Sequence, residues 1–232
     1  MPKVVLVPGF TQTAASWRDV AEVVETSCEV FAMDVPIRED FAHTASAIGA
    51  RGGHAIYVGY SMGGRLCLRL AIDHPEVVHG LVLVSSTAGI ADDGARAARI
   101  ESDEELARSI ERDGVGAFLD AWLAQPLFAT IPPGAAGLDE RRALAPSVLT
   151  HGLRVLGAGA MEPMWDRLPE LRMPVALVTG RLDTRYESLA LQMLERITSD
   201  VVHVPIDGGH ALPLEQPAVL GGFIAAFAAQ HG

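Results

Sequence analysis

The sequence predicts an α/β fold in which a mostly parallel sheet is flanked by helices and carries an inserted helical cap. Short apolar runs rich in β-branched residues alternate with helical patterns at both ends of the chain, as parallel strands buried on two faces do. No strand pattern occurs between residues 88 and 171, where proline and glycine separate helical stretches. A strand, a sharp turn and a helix also meet at Ser61.

The elements follow in order from these patterns. Strands are predicted at residues 3–7, 29–34, 54–58, 80–85, 173–179 and 201–204. Core helices are predicted at residues 14–26, 41–50, 62–74, 186–197 and 217–229, and cap helices at 92–112, 115–124, 138–156 and 161–167. We therefore expect a single domain overall, with residues 1–87 and 172–232 as its core and 88–171 as a helical cap.

Composition limits the possible partners. The 232 residues are 49% hydrophobic, which suffices for one domain with a substantial core. The formal charge of −11 argues against nucleic acid or an anionic membrane surface as a partner, and no apolar run approaches a membrane span. Cys28 and Cys67 lack a C-x-x-C partner and no signal peptide is visible, so we expect a cytoplasmic protein. No metal-ligand spacing occurs and no cofactor is expected, while the oligomeric state stays open.

The strand–turn–helix segment carries the strongest chemical signal. Residues 59–63, Gly-Tyr-Ser-Met-Gly, match the G-x-S-x-G nucleophile elbow, which lifts a serine hydroxyl above the sheet. The backbone N–H of Met62 is then placed to stabilise an oxyanion, and the loop after the first strand supplies a second N–H, which we assign to Phe10. The plainer alternatives are a tight turn that happens to contain serine and an ordinary loop at Phe10.

A serine nucleophile needs a histidine base, and the histidine needs an acid that fixes its tautomer. Elbow enzymes place these in the chain order serine, acid, histidine. Asp183 and His210 follow successive predicted strands, so both lie at the same sheet edge as Ser61. Asp34 and Asp207 are weaker candidates, because the first lies in a loop that shapes the pocket wall and the second buttresses the histidine loop. The predicted triad is Ser61, Asp183 and His210.

Arginines indicate the substrate. Arg65 lies four residues after Ser61 on the same helix face, where its charge opposes the helix dipole and a substrate carboxylate would compensate it. Arg96 and Arg99 are one turn apart in the cap and form a carboxylate clamp if that face looks inward. Trp122 closes the pocket or packs in the cap core. The alternatives are a salt bridge from Arg65 to a core acid and a solvated cap face. We expect a small anionic substrate that bears carboxylates.

These motifs together resemble the α/β-hydrolase superfamily along the whole chain. More narrowly, they are similar to the 2-succinyl-6-hydroxy-2,4-cyclohexadiene-1-carboxylate synthases of menaquinone biosynthesis (MenH-like). The segments that carry this resemblance are 59–65 (GYSMGGR), 96–99 with 102–103 (RAAR and SD), 122–129 (WLAQPLFA), 165–168 (WDRL) and 209–210 (GH).

The resemblance implies an elimination in which the histidine-activated serine removes a ring proton and pyruvate leaves. It also implies that Arg65 and Arg99 bind carboxylates, with Tyr60 and Trp122 near the substrate. The chain departs from the family at three places. Leu123 replaces a tyrosine, and residues 36–38 replace a Pro-Gly-His-Gly loop. No arginine stands near Ser147, where Arg154 is only an approximate substitute.

Two other functions are compatible with the same motifs. The first is a carboxylic-ester or thioester hydrolase that works through an acyl-serine. The second is a ligand-binding protein on a hydrolase scaffold without catalysis, against which the intact triad argues. The cap arginines separate the lyase from the hydrolase, because removal of Arg99 should cripple a lyase acting on a polycarboxylate and barely affect hydrolysis of a neutral ester.

Overall fold

A computed structural model describes all 232 residues. Six strands form one sheet: β1 (Lys3–Val7), β2 (Glu29–Ala32), β3 (Ala55–Tyr60), β4 (Val78–Val84), β5 (Val175–Gly180) and β6 (Val201–Ile206). The strand order is β2-β1-β3-β4-β5-β6, and every neighbouring pair is parallel. The predicted parallel α/β fold is therefore confirmed.

Nine α-helices accompany the sheet. They are α1 (Arg18–Val24), α2 (Phe41–Gly52), α3 (Met62–Asp73), α4 (Asp93–Leu123), α5 (Leu138–Arg142), α6 (Pro146–Leu156), α7 (Thr184–Leu194), α8 (Leu212–Glu215) and α9 (Pro217–His231). Short 3₁₀ helices lie at Ala14–Trp17, Pro75–Val77, Pro126–Phe128 and Trp165–Glu170. None of the helices combines the length and the apolarity needed to cross a bilayer.

Hydrophobic packing on both faces explains why the central strands are apolar throughout. All six residues of β3 are buried. Its side chains alternate, so that Tyr57 joins one core cluster while Ile56 and Val58 join another. Helices α2, α3 and α7 cover the first cluster, and α1 and α9 cover the second. The sheet is thus enclosed, and its carboxyl edge is the open side.

Three helix predictions differ from the structure, namely those at 14–26, 138–156 and 161–167. At the last of these the structure contains only a 3₁₀ helix, Trp165–Glu170. The helix predicted at 14–26 is divided into a 3₁₀ turn, capped by the Thr13 side chain, and the shorter α1. By contrast, the two helices predicted at 92–112 and 115–124 are confirmed, because Gly114, with φ of 86° and ψ of 166°, is not helical and divides α4 into two helices across a kink. The helix predicted at 138–156 is interrupted before Pro146, because proline can begin a helix but lacks the N–H that would continue it.

The segment between β4 and β5 contains helices and no strand. Helices α4 and α6 pack together through a small apolar cluster that includes Phe118 and Leu153. Phe10, in the loop after β1, contacts this cluster, with its ring centroid 6.2 Å from that of Phe118 and 5.4 Å from that of Trp122. These contacts place α4 and α6 over the carboxyl ends of the strands.

Candidate active site

Ser61 occupies the sharp turn between β3 and α3. Its φ of 50° and ψ of −107° form a conformation that costs a non-glycine residue on the order of 1–3 kcal/mol. The turn is held by hydrogen bonds from the Ser61 N–H to the Val84 carbonyl at 2.9 Å and from the Ser86 hydroxyl to the Ser61 carbonyl at 3.0 Å. A Cβ at Gly59 would clash with the backbone of Gly63, so the elbow closes only around glycine. The strain is therefore maintained by the surrounding structure.

Ser61, His210 and Asp183 form a chain of hydrogen bonds. Nε2 of His210 lies 3.3 Å from Oγ of Ser61, and Nδ1 of His210 lies 2.6 Å from Oδ2 of Asp183. Asp183 also accepts a hydrogen bond from the Tyr186 N–H at 3.3 Å and so caps α7. Because Asp183 accepts the proton on Nδ1, the lone pair on Nε2 faces the serine hydroxyl, as a general base requires.

Glu215 holds the loop that carries His210. Its Oε2 accepts a hydrogen bond from the Gly209 N–H at 2.5 Å, and its Oε1 accepts one from the Ala211 N–H at 2.8 Å. The Tyr186 ring packs against the imidazole at a centroid distance of 4.4 Å. The sequence analysis gave this role to Asp207, but that residue is exposed and pairs with Arg181 at 2.9 Å. It missed Glu215, because an acidic residue five positions after the histidine carries no pattern that identifies its target.

Phe10 and Met62 are the residues that the sequence analysis assigned to an oxyanion hole. Both line the same cavity as Ser61, and neither backbone N–H is hydrogen-bonded within the protein. Met62 is the first residue of α3, where the N–H groups have no helical partner. Two free N–H groups beside one hydroxyl can receive a developing negative charge.

A cavity of about 360 Å³ opens above Ser61. It is lined by strand ends, by the loop after β1 and by the helices between β4 and β5. The lining residues that the sequence analysis also selected are Phe10, Tyr60, Ser61, Met62, Arg65, Arg99, Trp122 and His210. Asp183 lies behind His210 and does not reach the cavity surface. Leu123 and residues 36–38, which depart from the family pattern, do not line it either.

Arg65 is buried at the cavity wall without a salt bridge. Its Nη1 donates to the Leu156 carbonyl at 2.9 Å and to the Met161 sulfur at 3.3 Å, and its guanidinium lies 5.7 Å from the centre of the Phe41 ring. Burial lowers the pKa of Arg65 to about 10, so the side chain keeps its charge at neutral pH. The salt bridge from Arg65 to a core acid, which was the alternative, is absent from the structure.

Arg99 reaches the cavity while anchored to a buried acid. Its Nε donates to Oδ1 of Asp103 at 2.8 Å, and Oδ2 of Asp103 has no hydrogen-bond partner. Desolvation raises the pKa of Asp103 despite the neighbouring guanidinium. The two Nη groups of Arg99 make no hydrogen bond within the protein and can bind an anion.

The structure corrects the expectation for Arg96. Its guanidinium pairs with the exposed Asp93 at 3.1 Å, and the residue does not line the cavity. Residues three apart on a helix point about 60° away from each other around its axis. That angle suffices to send Arg99 inward and Arg96 towards solvent, so the two do not form a shared clamp.

The structure also corrects the account of the later cap arginine. Arg154 lies on the surface, paired with Glu104 at 2.8 Å and Glu111 at 2.9 Å. Arg141 instead lines the cavity, buried and without a salt bridge, with its Nη1 donating to the Thr11 hydroxyl at 2.6 Å. Burial lowers the pKa of Arg141. The sequence analysis missed it because it belongs to a short run of charges that is typical of a solvated surface.

Comparisons with known proteins identify the family of this chain. A family model described as "Alpha/beta hydrolase family" matches residues 4–221. A Bacillus subtilis protein provisionally named as a 2-succinyl-6-hydroxy-2,4-cyclohexadiene-1-carboxylate synthase is 33% identical over 175 residues, which cover 73% of this chain and 64% of that protein. The synthase of that name from Enterobacter sp. is 26% identical over 97% of this chain and 90% of its own length.

The structure of MenH from S. aureus superposes with a TM-score of 0.90 at 23% identity, covering 99% of this chain and 94% of that one. At this identity the superposition shows a shared fold. Together with the sequence matches, it confirms the resemblance that the elbow and cap motifs indicated.

Proposed function

The chain is an enzyme of the alpha/beta hydrolase family, and we propose that it catalyses, by elimination, the reaction of the 2-succinyl-6-hydroxy-2,4-cyclohexadiene-1-carboxylate synthases that it resembles. The substrate is 2-succinyl-5-enolpyruvyl-6-hydroxy-3-cyclohexene-1-carboxylate (SEPHCHC), and the products are pyruvate and the 2,4-cyclohexadiene. One observation carries the proposal. Four arginines, Arg65, Arg99, Arg141 and Arg185, line the cavity above Ser61.

The charge balance of the cavity favours a polycarboxylate. Among these arginines only Arg99 forms a salt bridge with an acid, and that acid is Asp103. Arg65 and Arg141 are buried without a carboxylate partner in a protein whose net charge is −11. An unpaired buried charge is costly, and a bound carboxylate offsets that cost. A neutral ester would leave both guanidinium groups unpaired.

The serine and histidine supply the base. Ser61 Oγ removes a ring proton and passes its own proton to Nε2 of His210, and Asp183 stabilises the imidazolium that forms. The electron pair of the broken C–H bond forms the new ring double bond, and the ring C–O bond to the enolpyruvyl group breaks. The leaving enolate takes up the proton that His210 had accepted, which restores the neutral imidazole, and becomes pyruvate. No acyl-serine forms and no water is consumed.

Hydrogen-bond donors then act on the rest of the substrate. We assign the N–H groups of Phe10 and Met62 to the carbonyl oxygen that gains charge as the proton leaves. Trp122 lines the cavity, and its buried Nε1–H has no partner within the protein, so it is free to donate to a substrate oxygen. Tyr60 packs beside the base, with its ring centroid 5.5 Å from that of His210.

Release of pyruvate from SEPHCHC by the wild type and by Ser61→Ala tests the proposal. We expect kcat/KM of about 10⁴ M⁻¹s⁻¹ or more for the wild type and loss of that activity in the variant. A wild type that reacts with a serine-directed fluorophosphonate but releases no pyruvate above background would contradict the proposal and favour an ester or thioester hydrolase.

A further inference from the structure

A second, larger cavity adjoins the catalytic one. We call it the outer chamber, and its volume is about 760 Å³. Five residues line both cavities, namely Thr87, Arg99, Ala158, Arg185 and Tyr186. The two spaces therefore share a wall, and a molecule longer than the catalytic cavity can extend from one into the other.

The arginines of the outer chamber differ in how they are engaged. Arg196 lies 5.3 Å from the centre of the Trp165 ring and 3.7 Å from a carboxylate oxygen of Asp166. Arg99 uses its Nε on Asp103. Arg185 makes no hydrogen bond and no salt bridge with any part of the protein. It is the cation of this chamber that has no partner.

Arg185 stands where the two cavities meet. It follows Asp183 by two residues and lies in the first turn of α7, next to the Tyr186 ring that packs on His210. A positive charge in the first turn opposes the helix dipole. The side chain is exposed and has no partner within the protein, so it is free to contact an anion bound where the two cavities meet.

The remaining wall fits a carbon chain that ends in a carboxylate. Ile90, Pro163, Trp165 and Leu189 contribute apolar surface, while Ser188 and Gln192 contribute polar groups. Two acids also line the chamber: Asp92 accepts the Ala95 N–H at 2.7 Å as the N-cap of α4, and Asp166 lies 3.7 Å from Arg196. The chamber thus pairs an apolar lining with an unpaired guanidinium at its inner end.

We propose that the outer chamber is a carboxylate-binding site centred on Arg185, which holds the distal carboxylate of an extended anionic substrate while the reacting carbon lies beside Ser61. Arg185 is then a specificity-determining residue that selects substrates with a second carboxylate. The inference rests on the proposed function because that function supplies the polycarboxylate substrate. A binding measurement nevertheless tests the inference without the elimination step.

The test compares two probes that differ by one carboxylate. Adipate and hexanoate have the same carbon chain, and only adipate carries a charge at both ends. We would measure both dissociation constants by calorimetry for the wild type and for Arg185→Gln. The control is Arg51→Gln, which makes the same charge change at an exposed arginine in the last turn of α2, at the opposite edge of the sheet.

The wild type and Arg51→Gln should bind adipate about tenfold more tightly than hexanoate, because a charge-assisted hydrogen bond of this kind has roughly that effect. Arg185→Gln should lose most of this preference, and Arg185→Lys should keep part of it. The proposal would be overturned if the wild type bound adipate and hexanoate equally well. It would also be overturned if Arg185→Gln kept the same preference for adipate as the wild type. If the wild type prefers adipate in this way but releases no pyruvate from SEPHCHC, only the proposed lyase function is contradicted.

Discussion

Nε2 of His210 lies 3.3 Å from Oγ of Ser61, although the two residues are separated by 149 positions in the chain. Parallel strands bring them together, because β3 and β6 end at the same edge of the sheet and each is followed by one of these residues. The distance allows a hydrogen bond that tightens when substrate binds. The proposed catalysis depends on this pair and on the carboxylate of Asp183, which holds Nδ1 of His210.

Asp183→Asn should lower kcat for pyruvate release by about 10³-fold or more, because an amide favours the imidazole tautomer that presents the wrong nitrogen to Ser61. The control is Asp207→Asn, which alters an exposed acid that pairs with Arg181 at 2.9 Å. Equal activities of the two variants would show that Asp183 does not orient His210.

Arg99→Ala should lower kcat/KM for SEPHCHC by about 100-fold, since it removes a charged contact to a substrate carboxylate. Arg96→Ala provides a matched control one turn away on α4, where the side chain pairs with Asp93 outside the cavity. Hydrolysis of a neutral activated ester should be similar in both variants. A similar loss of lyase activity in Arg96→Ala would contradict the placement of Arg99 as the inward arginine.

Glu215→Gln should lower kcat about tenfold with little change in KM, because one of the two N–H groups that flank His210 loses its acceptor. Glu195→Gln, at an exposed position just beyond α7, is the comparison variant. Since Glu215 acts through the histidine loop, the pH profile of kcat should also shift. An unchanged profile together with a lower melting temperature would reduce Glu215 to a structural role.

Asp103 gives the protein a pH-dependent stability. Desolvation raises its pKa in the folded state above the ordinary value of 3.8, so the folded protein holds this proton more tightly than the unfolded chain does. The stability that this proton contributes is present at acid pH and is lost as the pH rises through the raised pKa. Relative to Asp103→Asn, the wild type should therefore become less stable as the pH rises from about 4 towards neutrality.

Urea unfolding of both proteins across that range measures the difference in free energy. A difference that stays constant with pH would show that Asp103 is not perturbed.

The sequence predicted those features that depend on local pattern. The elbow needs glycine at fixed positions around Ser61, and Asp183 and His210 each follow a strand, so topology alone brings the three to one edge. The inward direction of Arg99 and the burial of Arg141 depend instead on how α4 and α5 pack above the sheet. Charged residues on a helix give the same sequence pattern whether they face solvent or a cavity.

The identity of the ring product distinguishes elimination from hydrolysis. SEPHCHC would be incubated with the wild type and with Ser61→Ala, and the ring-containing product would be identified by mass spectrometry. Elimination predicts the cyclohexadiene, formed at a rate that depends on Ser61, with no water added. A ring product heavier by one water molecule would contradict the account, because it would show that the enolpyruvyl group had been hydrolysed.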